Sequence, residues 1–232
     1  MRIRELLTER ALRPDKDLSK KFLQVLKNGI KNYFETEDET SPDPDRLRDS
    51  FEKESKGLPF KWNVAPDDAM NPVTPYIHSA ALTMQDEIAI NLHAETIESN
   101  WDEEEFIKYA MYSFNHEAVH HEQAMRKNAA GYEQPDYGGI AKARRKAKGD
   151  ESMIMHYYLA DKEEIMAHAK DLATEMSLAD DPGIVLRDPD GFIDYLPTWQ
   201  KYRYVGKYSR KDPVIKRLLK YTAAYLGQDD EA

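Results

Sequence analysis

Asn115-His116-Glu117-Ala118-Val119-His120-His121-Glu122 is the stretch that decides how this chain is read. It holds the pattern H-E-x-x-H, with His116 and His120 four residues apart. On a helix, residues so spaced lie one turn apart on one face, so both imidazoles can reach a single tetrahedral metal ion. Glu117 leaves the helix about 100° away, near enough to hold a water on that ion without being a ligand itself. The pattern needs a helix, and the flanking sequence supplies one. No Pro or Gly falls between Glu103 and Lys127. Asn100 or Asp102 can cap its start, and Glu103, Glu104 and Glu105 suit the positive end of the helix dipole. Ile107, Met111, Phe114, Ala118 and Met125 recur at helical spacing and predict one apolar stripe, with the two histidines roughly opposite.

Composition sets the outer bounds. With 232 residues, 41% of them hydrophobic and 33% charged, the chain is long enough for one substantial core, or one domain with an appendage. The formal charge of −10 argues against wholesale nucleic-acid binding. There are no cysteines, so disulfides, thiol catalysis and cysteine-ligated zinc are excluded. Met1-Arg2-Ile3-Arg4-Glu5 opens no signal peptide, and no stretch reaches membrane-spanning length, so the expectation is a cytoplasmic protein, with virion association left open.

Outward from the motif, residues 1–34 have a helical pattern in which Leu18, Phe22, Val25, Leu26, Ile30, Tyr33 and Phe34 form a stripe, with Asp17 or Ser19 as cap. This helix either packs on the main domain or docks a protein partner. Residues 35–50 are acidic and carry two prolines, which predicts a linker. The domain reading is therefore 1–50 as helix plus linker and 51–232 as the functional domain. Segments 58–64, 76–82 and 87–92 read as strands, the last two as a hairpin, giving a small antiparallel sheet. The last strand is a candidate edge on which an extended peptide could pair. Residues 142–148 are a basic run that reads as a solvated helix. Glu163 to Ala173 is a second clear helix capped by Asp161, with Ile165, Ala169, Leu172 and Met176 on its apolar side. Glu164, His168, Asp171 and Glu175 share a narrow arc of the same helix. A loop or short strand follows from Gly183 to Asp194, then one or two helices ending near Leu226. Between Lys201 and Tyr221, eight Lys/Arg stand against one Asp, interleaved with Tyr202, Tyr204 and Tyr208. Such a segment can bind nucleic acid or cover an acidic domain.

Two histidines are too few for a catalytic zinc, which takes three protein ligands and leaves a fourth position to water. His156, Asp161, Glu163, Glu164 and His168 are the downstream candidates, and Glu164, at the start of the polar arc, is the best of them. Glu163, its neighbour, leaves a one-residue ambiguity. With this set the sequence resembles the zincin metallopeptidases, in the gluzincin arrangement of thermolysin-like enzymes, over about residues 58–178. The resemblance implies an α+β fold, with a small antiparallel sheet packed on a central H-E-x-x-H helix and a second Glu-bearing helix, plus extra N- and C-terminal helices. It also implies Zn2+ held by His116, His120 and Glu164, Glu117 as general base, and a peptide or protein substrate. His156 and Tyr157, with Tyr158, are the candidate oxyanion donors. The sequence departs from that family where it has His168 four residues after Glu164, a position the family gives to an Asp, so Asp171 or Glu175 would orient a ligand histidine instead. Two other classes stand beside the peptidase: a zincin-like structural or partner-binding module, phage-associated for example, and a nucleic-acid binder acting through the C-terminal segment.

Overall fold

The computed structural model describes residues 16–36, 41–65, 77–82, 87–129 and 139–229. The fold is α+β. Its contacts divide into two compact units, one of residues 14–132 and one in which residues 133–232 cohere.

The first unit opens with α1 (Lys16–Thr36), followed by α2 (Pro44–Glu54). Three strands, β1 (Phe60–Ala65), β2 (Ile77–Leu82) and β3 (Glu87–His93), precede the short α3 (Ala94–Ser99) and the long α4 (Glu103–Ala129). As the sequence predicts, β2 and β3 pair antiparallel, with Ile77 opposite Leu92. The strand order is β1-β3-β2, however, and β1 joins β3 in parallel register, Phe60 opposite Ile88. The sheet is therefore mixed rather than antiparallel. β3 is its central strand, not an edge, and its burial on both faces follows from that: Ile88, Ala89, Ile90 and Leu92 are all buried. Among the described residues the edges are β1 and β2.

The acidic linker expected over 35–50 is a helix from residue 44 onward. Asp43 caps it, its carboxylate accepting the Arg46 N–H at 2.9 Å, and Pro44 takes the first-turn position where no N–H is needed. Leu47 and Phe51, one turn apart, are fully buried in the same core as α1. The boundary expected at residue 50 is absent for this reason, and the first helix belongs to the unit that carries H-E-x-x-H. Phe22 of α1 stacks on Phe114 of α4 with centroids 4.0 Å apart and also meets Phe60 and Trp62 of β1. The α4 cap is Asp102, which accepts the Glu105 N–H at 2.8 Å. The helix buries Phe106, Ala110, Phe114 and Ala118, a row spaced by four, whereas Met125 of the predicted stripe is 41% exposed. Small alanines set the contact line, and α4 lies along β2 and β3.

The second unit is helical. It runs through α5 (Gly139–Ala147), α6 (Ile154–Leu159), α7 (Lys162–Ser177), α8 (Pro182–Arg187), a 3-10 segment (Pro189–Tyr195), α9 (Pro197–Gln200), a π turn (Lys201–Val205) and α10 (Pro213–Asp229). No strand forms between Gly183 and Asp194. α7 is the centre of this unit: α10 and α9 pack on it, and Ile165, Ala169, Leu172 and Met176 are fully buried as predicted. Tyr202, Tyr208 and Tyr221 of the basic–aromatic segment are core residues, so their rings offer no stacking surface to bases. No described helix is long and apolar enough to cross a membrane.

The packing row of α4 makes a direct prediction. Phe114→Ala should cost about 3–5 kcal/mol, and Met125→Ala less than about 0.5 kcal/mol, in urea unfolding followed by tryptophan fluorescence. Equal losses at both positions would mean the helix is rotated from the orientation described.

Candidate metal centre

On α4, His116 and His120 are both half-buried, their ring centroids 4.9 Å apart and their planes at 69°. His120 Nδ1 lies 2.9 Å from Gln123 Oε1. The amide oxygen can only accept, so it fixes the proton on Nδ1 and leaves the His120 lone pair on Nε2. Glu117 is half-buried between them in sequence. The i, i+4 arrangement that the motif calls for is present.

On α7 the polar arc is buried. Asp161 caps the helix by accepting the Glu163 N–H at 3.0 Å, which sets the register that follows. Glu163 is half-buried, while Glu164, His168 and Asp171 are 6%, 1% and 3% exposed. The one-residue ambiguity is thus resolved in favour of Glu164 as the residue carried inward. His168 Nδ1 lies 2.9 Å from the Glu164 carbonyl oxygen and donates to it, which puts the ring's lone pair on Nε2.

Glu175, the fourth member of the arc, has a different duty. Its carboxylate accepts the Thr198 N–H at 3.0 and 3.2 Å and the Thr198 hydroxyl at 2.6 Å, tying α9 to α7. It is not placed to orient a ligand histidine, which leaves Asp171 of the two residues considered. His156 is likewise engaged. Its Nδ1 lies 2.9 Å from the Gly206 carbonyl, its ring stacks on Tyr208 at 4.5 Å, and its own carbonyl accepts the Tyr208 hydroxyl. These contacts pin α6 to the segment after the π turn. Tyr157 is half-buried with its ring edge-on to His156.

Three residues without an assigned role in the sequence reading complete the surroundings of the arc. Lys201, first in the π turn, brings its Nζ to 3.1 Å from His168 Nε2. Tyr202 follows it with its ring edge-on to His168, 5.7 Å between centroids at 81°. Its hydroxyl is buried with no hydrogen-bond partner. Burial pushes the Tyr202 phenol well above its ordinary value, and the nearby Glu164 and Asp171 carboxylates push it the same way, so it keeps its proton and can act only as a neutral donor. Gly139, at the start of α5, approaches Glu164 so closely that a Cβ there would stand 2.3 Å from Oε1 and 3.0 Å from Cδ. The basic–aromatic run held a clue to Lys201 and Tyr202. Nothing local marks Gly139.

His116, Glu164 and His168 form a group that can hold a metal ion: each offers one ligand atom, and these atoms all lie within 4.8 Å of one another. His116 and Glu164 are two of the predicted ligands. The third is His168 rather than His120. Two neutral imidazole nitrogens and one carboxylate oxygen, largely buried, are a donor set suited to a borderline divalent ion. The chain matches no known protein family, no curated protein and no solved structure.

The Gly139 contact can be tested on its own. Alanine at a helix start gains at most about 1 kcal/mol in helix propensity, whereas overpacking costs about 1–3 kcal/mol. Gly139→Ala should therefore destabilise the protein in urea, and the loss should largely vanish when paired with Glu164→Ala. A loss that persists in the double variant would show that the Glu164 carboxylate is not what Gly139 accommodates.

Proposed function

We propose that this chain is a zinc-dependent hydrolase of amide bonds, a peptidase of the gluzincin kind with an altered ligand set. The observation that carries the reading is the group of His116, Glu164 and His168, with donor atoms within 4.8 Å of one another, His116 coming from the H-E-x-x-H helix. A structural helix has no need of two imidazoles and a buried carboxylate so arranged, because burying polar groups costs free energy unless something repays it.

Zinc, when bound, supplies a Lewis acid that polarises a carbonyl and brings the pKa of water down to about 7. The chain's residues do the rest. His116, Glu164 and His168 hold the ion, and His120, one turn from His116 with its Nε2 lone pair unprotonated, stands ready as an additional ligand. Glu117 accepts the proton of the attacking water and returns it to the leaving nitrogen. Tyr202, a buried and permanently protonated phenol beside His168, is a better oxyanion donor than His156, whose ring is committed to Gly206. An extended peptide would add to β2, the edge strand that lies along the H-E-x-x-H helix.

The test is metal content followed by cleavage. Protein purified without added metal should carry about one zinc per chain, which His116→Ala and Glu164→Ala lose. Glu117→Gln should keep the zinc while its chelator-sensitive cleavage of an unstructured protein falls about 10²–10⁴-fold. Absence of stoichiometric metal in the unsubstituted chain sinks the reading, and undiminished cleavage by Glu117→Gln removes the base.

A further inference from the structure

His168 is 1% exposed, and its two ring nitrogens have separate partners. Nδ1 gives its proton to the Glu164 carbonyl, so Nε2 carries the only lone pair with which the ring can bind a cation. That lone pair is taken. The Lys201 ammonium, which has donors and no acceptor, lies 3.1 Å from Nε2 and must be donating to it. One lone pair serves one cation at a time. A metal ion on His168 and the Lys201 ammonium in this position exclude each other.

Lys201 is placed so that it can leave. It begins the π turn, where the Gly206 N–H reaches back to the Lys201 carbonyl at 2.9 Å, and its side chain is half-buried rather than enclosed. Single π turns of this kind recur at functional sites. A four-carbon stem ending in a compact, strongly hydrated charge can swing outward without moving the backbone.

We propose that Lys201 is a built-in stand-in cation, which holds His168 in its ligating orientation in the metal-free chain and is displaced when the ion binds. Lys201 is thus a positioning residue, and metal loading is an exchange of one cation for another. The inference rests on the metal reading above, and the experiment separates the two.

Zinc affinity of the full-length chain, Lys201→Met and His168→Ala is measured by competition with a chromophoric chelator. Removal of the competing ammonium should tighten zinc binding by Lys201→Met at least tenfold, while His168→Ala weakens it. In the unsubstituted chain, zinc should also raise the rate at which an amine-reactive reagent labels Lys201, read by mass spectrometry, because the displaced ammonium reaches solvent. If the unsubstituted chain binds zinc and Lys201→Met binds it equally or less tightly, the exchange is wrong and the metal reading survives. If no form binds zinc, both fall. Should Lys201→Met fail to fold, Lys201→Gln carries the same comparison, and the labelling of the unsubstituted chain decides independently.

Discussion

The constraint from which the second unit is built is the burial of a polar row inside a helix that is otherwise core. Glu164, His168 and Asp171 share α7 with Ile165, Leu172 and Met176, and all six are buried. A carboxylate or imidazole taken out of water must find partners or become a large debit. The surrounding elements are arranged to answer that. The backbone of α7 serves itself, the Glu164 carbonyl accepting from His168. α5 approaches the Glu164 carboxylate with a residue that has no Cβ. The π turn delivers Lys201 and Tyr202 in succession to the same histidine. Glu175, at the far end of the row, anchors α9 just before that turn and so fixes where the turn can fall.

The first unit solves a different problem, which is to hold a long helix with a half-buried pair of imidazoles on a small sheet. Its answer is aromatic. Phe22, Phe60, Trp62 and Phe114 form one stacked and edge-on group joining α1, β1 and α4, and Phe51 of α2 extends it to Phe106. Such pairs add specificity of orientation to the area they bury. The Ser19 hydroxyl donates to Asn115 Oδ1 at 3.2 Å, a tie between α1 and the residue immediately before His116. The motif is therefore clamped by the N-terminal helix, which sequence reading had set apart from it.

Legibility in the sequence followed the range of the interaction. Caps and periodicity are local, and Asp102, Asp161 and the α7 stripe were all readable. So was the β2–β3 hairpin, whose pairing spans a few residues. The α4 stripe was identified with the wrong phase, because Ile107, Met111 and Met125 outweigh alanines on any hydropathy scale while the close contact line is set by Ala110 and Ala118. At Asp43-Pro44, a cap followed by a first-turn proline was hidden by the acidic charge around it, although Leu47 and Phe51 carried the helical spacing. The parallel pairing of β1 with β3 is non-local, and it changed which strand is an edge. Gly139 and Lys201 are far in sequence from the residues they touch, and no local pattern announces such contacts. The residue types at the centre were visible, and their partners were not.

The histidine at position 168 is where the chain departs most from the gluzincin arrangement, and the energetics of that departure explain what it permits. A carboxylate there would face Lys201 as a buried ion pair, and breaking such a pair by removing one partner costs about 3–5 kcal/mol. The neutral imidazole makes a hydrogen bond to a charged group instead, worth about 1.5–3 kcal/mol. A lysine held by the weaker contact can be displaced by a competing cation, whereas one held by the stronger would lock the site. The imidazole also brings a donor of the type that borderline divalent ions prefer. His168 thus replaces an orienting role by a ligating one, and the same exchange makes the neighbouring lysine a removable guest.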